Sequence, residues 1–205
     1  MMSIPGPDGS VDVTSMLDEW ICARDGAGAV HVHPCHRLDR DTSGVMLYAR
    51  GKAEQKVLMA CFAERETTKV YLCVVHGKPG KKEGLVKLPI EGREALTQYQ
   101  VLGSANGVSL VKCKIHTGRS NQIRIHFASM GHPLVGDSRF GRRSDNPPEV
   151  KRTLLHAWFF SLPPQVPGLL ADEPHAWTAP LPEDMHAWCS ACGRPELLDA
   201  ACGNS

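Results

Sequence analysis

The spacing of apolar residues divides the chain into short elements of two periods. In TSMLDEWICA (14–23), Met16, Leu17, Trp20 and Ile21 recur at helical intervals, and Thr14 or Ser15 is the expected cap. GAGAVHVHP then interrupts the pattern. GVMLYAR (44–50) predicts a short buried strand, and KAEQKVLMACFAER (52–65) a helix with Ala53, Val57, Leu58, Cys61 and Phe62 on one stripe. The β-branched and aromatic run TKVYLCVVHG (68–77) predicts a strand, and after GKPGKKEG three more follow in LVKLPI, ALTQYQVLG and VSLVKCKIHT. GRSNQIRIHFASMGH (118–132) returns to the helical period, with Ile123, Phe127 and Met130 in line and Gly131 as its stop. RTLLHAWFFSLP (152–163) predicts a last strong strand, and beyond Pro163 the periodicity fades. The expected fold class is α+β: a single domain with a mainly antiparallel mixed sheet flanked by helices. Residues 1–10 read as a flexible N-terminus, 11–185 as the folded domain and 186–205 as a disordered, cysteine-containing tail.

Composition narrows the class. A chain of 205 residues can bury a substantial core. No apolar run approaches the roughly 20 residues needed to cross a bilayer. The N-terminus has neither the basic and apolar regions of a secretory leader nor the Arg-rich character of a transit peptide. A cytoplasmic location and no membrane partner are therefore expected. The near-neutral total hides an asymmetry: between Lys69 and Arg152 there are fifteen Lys or Arg against six Asp or Glu. A basic middle of this kind attracts a polyanion, although clustering on solvated faces produces the same count. Of the eight cysteines, Cys61 and Cys73 sit in apolar segments as small core residues. His186, Cys189, Cys192 and Cys202 offer four zinc-type ligands, but no second close ligand pair at finger-like spacing accompanies them, so no metal is expected.

Candidate chemistry concentrates in PCHRLDRDTSG (34–44). There is no G-x-S-x-G elbow, H-E-x-x-H, P-loop or dinucleotide fingerprint to compete with it. Asp39 stands between Arg37 and Arg40, with Asp41, Thr42 and Ser43 following. On its own such a segment is a solvated turn as readily as a carboxylate set among cations.

Read with the rest of the chain, the segment resembles the signature of the RluA family of RNA pseudouridine synthases, H-R-L-D-x-x-T-S-G, and every fixed position matches. Lys69-Val70-Tyr71 resembles the family's K-x-Y strand, and TGRSNQIRIH (117–126) its T-G-R-x-H-Q-I/L-R-x-H element. GHPLVGDSRFG (131–141) is similar to G-x-P-(I/L)-x-G-D-x-x-Y-G, with Phe140 in place of Tyr, and LLHAWFFSLP to the closing L-H-A strand. The resemblance implies a pseudouridine synthase catalytic domain that isomerises uridine in structured RNA (tRNA or rRNA) by base flipping, as a monomer without cofactor. It assigns the catalytic carboxylate to Asp39, as nucleophile at C1′ or as proton acceptor, with Arg124 as its ion-pair partner and Tyr71 stacking on uracil. It implies Arg37 as the arm that fills the vacated stack. RNA contacts are expected from His36, Lys69, Lys112, Lys114, Arg119, Asn121 and Arg139.

Two departures qualify the expectation. Asn121 replaces the motif's usual His and cannot titrate near neutrality. No Lys-Pro-x-Gly strand precedes His33, so the sheet is expected to lack its usual first N-terminal strand. Together these leave a second reading, a catalytically degenerate RNA-binding protein that keeps the fold.

Overall fold

The computed structural model describes residues 12–26, 31–166 and 175–198; residues 1–10, expected as a flexible terminus, lie outside them. In chain order the elements are α1 (Val13–Asp25), β1 (Val32–Pro34), β2 (Ser43–Gly44), β3 (Tyr48–Arg50), α2 (Lys52–Ala63), β4 (Thr68–His76) and β5 (Glu83–Val86). They continue with β6 (Thr97–Ala105), β7 (Val108–Ile115), α3 (Gln122–Ser129), β8 (Leu155–Ser161), β9 (Ala176–Thr178) and α4 (Glu183–Ala191). The class is α+β, as expected. Contacts gather the elements into two compact units: the described parts of 1–40, 46–67 and 162–175, and those of 41–45, 68–161 and 176–205.

In the first unit, β1 and β3 form an antiparallel pair with Val32 opposite Arg50 and Pro34 opposite Tyr48. The cap of α1 is Asp12 rather than Thr14 or Ser15; its carboxylate accepts from the amides of both residues, at 2.8 and 3.1 Å. Asp is the shorter route to those two donors, which lie two and three residues further on. α2 buries Leu58 and Cys61 from the expected stripe.

The second unit is built on a seven-stranded sheet in the order β2-β8-β4-β7-β6-β5, with β9 on β8. All its pairings are antiparallel except β2 with β8. Alternation along β4 and β7 sends Cys73, Val75, Val111, Cys113 and Ile115 to one face, where Ile123 and Phe127 of α3 complete the core. Leu72, Val74, Val108 and Leu110 go to the other face, beneath Met185 and Cys189 of α4. The sheet is therefore covered on both faces by helices of its own unit.

Two expectations are corrected here. GVMLYAR is not one buried strand: Ser43–Gly44 joins the large sheet and Tyr48–Arg50 the small one, because the chain passes from one unit to the other between them. The tail from residue 186 is not disordered as far as it is described. Met185, Cys189 and Cys192 recur at helical spacing and are buried against the sheet, so the cysteines serve as core residues. Cys202 lies outside the described residues. No described helix is long and apolar enough to cross a membrane.

Candidate functional site

The signature segment leaves β1 at Pro34, whose carbonyl accepts from Gln55 Nε2 at 2.9 Å. Cys35 N–H donates to Leu47 O, and Leu47 N–H donates back to His36 Nε2, both at 3.0 Å. The His36 ring also packs on Phe62, with centroids 5.2 Å apart. His36, expected to touch RNA, is thus built into the loop that carries the motif. Cys35 and Leu38 are buried, Asp39 is half-buried, and Arg37 and Arg40 are exposed. Buried Cys35 and Leu38 anchor the loop while its two arginines stay at the surface.

In the second unit, Lys69 and Tyr71 share the β4 face that α3 covers, as alternation predicts, and Tyr71 packs on that core. Burial pushes the Lys69 ammonium below its ordinary pKa. α3 begins at Gln122, four residues later than the apolar pattern suggests, because the residues before it serve as side-chain and backbone partners. Thr117 hydroxyl and Arg119 N–H both donate to Gln122 Oε1, at 2.7 and 3.1 Å. Gln122 Nε2 donates to Leu96 O and Thr97 Oγ1, at 3.0 Å each. His126 completes the network between Thr97 Oγ1 and Leu88 O, both at 2.9 Å. A carbonyl can only accept, so Nε2 of His126 carries the proton and Nδ1 accepts. Thr117, Gln122 and His126 therefore lock α3 onto β6.

Arg124 faces elsewhere. Its Nε and Nη2 fork onto the carboxylate of Asp137 at 2.7 and 2.9 Å, and its Nη1 donates to Asn121 Oδ1 at 2.6 Å. Asp137 is fully buried and also accepts the amides of Arg139 and Phe140, at 2.9 and 3.0 Å. Burial pushes its pKa up, but the Arg124 guanidinium and these two amides outweigh it and hold the carboxyl below its ordinary range. The guanidinium of Arg124 further lies 5.0 Å from the ring centre of Phe140, as does that of Arg139. Asn121 adopts a left-handed backbone (φ 54°), which Asn tolerates well, and that turn brings its amide oxygen to Arg124. Residues near one another in the second unit thus hold the arginine in one orientation.

The expected residues divide among several places. Asp39, Arg37 and His36 belong to the first unit, and Tyr71, Lys69, Arg124, Asn121, Arg119 and Arg139 to the second. Lys112 and Lys114 alternate with Val111, Cys113 and Ile115, so they project from the sheet face opposite Tyr71 and α3. Arg119 donates from Nε to Glu94 O at 2.9 Å, and Arg139 is exposed. Sequence reading missed Asp137, although it stands in GHPLVGDSRFG; the one acid of that matched segment was the available signal.

The profile of the RNA pseudouridylate synthase family matches residues 19–129. Over 176 residues the chain is 35% identical to the dual-specificity RNA pseudouridine synthase RluA of Escherichia coli (strain K12), covering 77% of this chain and 80% of that protein. The chain belongs to the RluA family of RNA pseudouridine synthases. It is also 35% identical over 176 residues to the ribosomal large subunit pseudouridine synthase D of Nitrosomonas europaea, covering 76% of this chain and 50% of that one. An uncharacterized RNA pseudouridine synthase of Aquifex aeolicus is 40% identical over 136 residues, 58% of this chain and 43% of its own. The chain thus spans about half the length of these last two relatives. The structure of human RNA pseudouridylate synthase domain containing 4 superposes with a TM-score of 0.72 at 22% identity, covering 95% of this chain and 86% of that one, and shares the fold.

Family membership explains two motif elements as structure. Ser43 Oγ bonds His156 Nδ1 at 2.9 Å, and Gly44 (φ 118°) lies flat against Ala157, whose carbonyl a Cβ would strike. The T-S-G of the signature and the L-H-A of the last strand are two sides of the parallel β2–β8 contact.

Proposed function

We propose that the chain isomerises uridine to pseudouridine in structured RNA, with tRNA or rRNA as the substrate class. The reaction breaks the N1–C1′ glycosidic bond, turns the uracil, joins C5 to C1′, releases the C5 hydrogen as a proton and places a proton on the freed N1. Product and substrate are isomers, so the chemistry demands neither redox equivalents nor a donated group. Asp39 supplies the carboxylate opposite the positive charge that grows on the sugar as the base departs, acting as nucleophile at C1′ or as proton acceptor. Arg124 pairs with and orients it; a guanidinium with five N–H donors can serve Asp137 and a second carboxylate together. Tyr71 stacks on the uracil. The base leaves its helix to be reached, and Arg37 fills the gap. Lys69, Arg119 and Arg139 bear on backbone phosphates, while Lys112 and Lys114 serve RNA that extends across the other sheet face.

The observation that carries this reading is the complete H-R-L-D-x-x-T-S-G signature in a chain whose Arg124 is held rigid by a buried carboxylate. Asn121, one of the two departures that motivated a degenerate, non-catalytic reading, accepts from Arg124 and so fills a positioning role. The test is release of tritium from uridine C5 in RNA isolated from cells lacking the gene. Wild-type protein is expected to release it and Asp39→Asn to release none. RNA binding without release would instead establish the degenerate protein, and full activity of Asp39→Asn would refute the mechanism.

A further inference from the structure

The guanidinium of Arg152 lies outside the motifs assigned above, yet it is among the most heavily engaged groups in the second unit. Its Nε and Nη2 fork onto the carboxylate of Asp184, in the first turn of α4, at 2.6 and 2.7 Å. That fork fixes the plane of the guanidinium and turns Nη1 to the opposite side. There Nη1 meets three backbone carbonyls: Asp41 and Thr153 at 3.1 Å, and Leu155 at 3.2 Å. Asp41 is two residues beyond Asp39 in the chain. The backbone of Arg152 has a second neighbour. Gly136 (φ 84°) passes so close that a Cβ there would strike the Arg152 carbonyl, and Gly136 immediately precedes Asp137, the anchor of Arg124.

We infer that Arg152 is a positioning residue and that α4, through Asp184, is part of the catalytic apparatus. One residue braces both chain segments on which the proposed chemistry depends. Its side chain ties down the carbonyl of Asp41, two residues beyond Asp39 in the chain, and its backbone backs the turn that presents Asp137. The arrangement demands an arginine. A lysine ammonium cannot hold the Asp184 fork and donate to the Asp41 carbonyl from a fixed plane. Asp184 is half exposed, so its charge is not required to fill a core position. This inference rests on the proposed function, in that Asp39 must be the reacting carboxylate for the brace to matter to rate.

The test compares Asp184→Asn and Arg152→Lys with wild type in the tritium-release assay, using bulk RNA from cells lacking the gene, and follows amide exchange at residues 39–42 in parallel. A misplaced reacting group costs up to about a hundredfold in rate. Asp184→Asn is expected to lower kcat roughly tenfold and Arg152→Lys roughly a hundredfold, with apparent KM changed less than about twofold. Exchange at 39–42 should accelerate in both while the overall fold is retained. Unchanged kcat and unchanged exchange in Asp184→Asn would overturn the inference, and so would a loss of activity that only tracks loss of folded protein. If Arg152→Lys fails to fold, Asp184→Asn decides alone. Failure of the functional reading looks different: Asp39→Asn would remain active while exchange at 39–42 still responded to Asp184→Asn.

Discussion

Replacing Asp137 by Asn probes the charge that holds Arg124. The carboxylate is fully buried, and Arg124 is 13% exposed. Oδ1 accepts three of its four bonds, from Arg124 Nη2 and from the amides of Arg139 and Phe140, whereas Oδ2 accepts only Arg124 Nε. Asn can present its oxygen at the first position and keep those three. Its NH2 then faces Nε–H of Arg124, donor against donor, and the guanidinium loses its counter-charge. Removing one partner of a buried pair costs about 3–5 kcal/mol, and the three retained bonds place this variant near about 3 kcal/mol. For a chain of this size that lowers Tm by roughly 6–12 °C. An Arg124 released from its fork also loses its orientation, so kcat for tritium release should fall about tenfold or more with apparent KM little changed. Thermal unfolding by circular dichroism and the steady-state assay measure the two effects separately. Wild-type Tm together with wild-type kcat would refute the view that Asp137 holds the arginine.

Other consequences follow from the packing. Gly44→Ala drives a Cβ into the Ala157 carbonyl from a positive-φ position, so unfolding should become easier by about 3 kcal/mol or more, and an unchanged denaturant midpoint would exclude the β2–β8 contact. Met185→Ala empties a fully buried position on the sheet-facing side of α4 and should cost about 2–5 kcal/mol, whereas a disordered tail would show no change in midpoint. His126 and His156 are both buried, and burial holds both below the ordinary imidazole value. The unfolded chain therefore binds more protons between the folded values and about pH 6.5. Their contribution to stability is complete above about 6.5 and is lost as pH falls through the folded values, so Tm should drop between about pH 7 and pH 5. A Tm that rises on acidification over that range would contradict this.

The local pattern was enough to determine most of the elements and the faces they present. Val57, Leu58 and Cys61 mark α2, and alternation along TKVYLCVVHG places Lys69 and Tyr71 on one face. These properties depend on neighbours within a few residues, which a single chain displays directly. Long-range partners are different, because they depend on segments far apart in sequence meeting in space. The resemblance implied Asp39 as the partner of Arg124, and only the packing of the 131–141 turn beside α3 brings Asp137 to its guanidinium. Residues 186–205 read as a disordered tail because helix α4 is short and its apolar line is interrupted by His186 and Ser190. Its stability comes from the sheet face beneath Met185 and Cys189, which the sequence nearby does not contain. In the same way, the linear count of basic residues did not say which of them share a face, and strand alternation divides Lys112 and Lys114 from Tyr71. Sequence by itself thus determined most of the helices and strands and which face β4 turns to its core. The tertiary structure decided which buried carboxylate holds Arg124 and what α4 packs against, because ion pairs and core contacts form across distances in the chain that no local pattern spans.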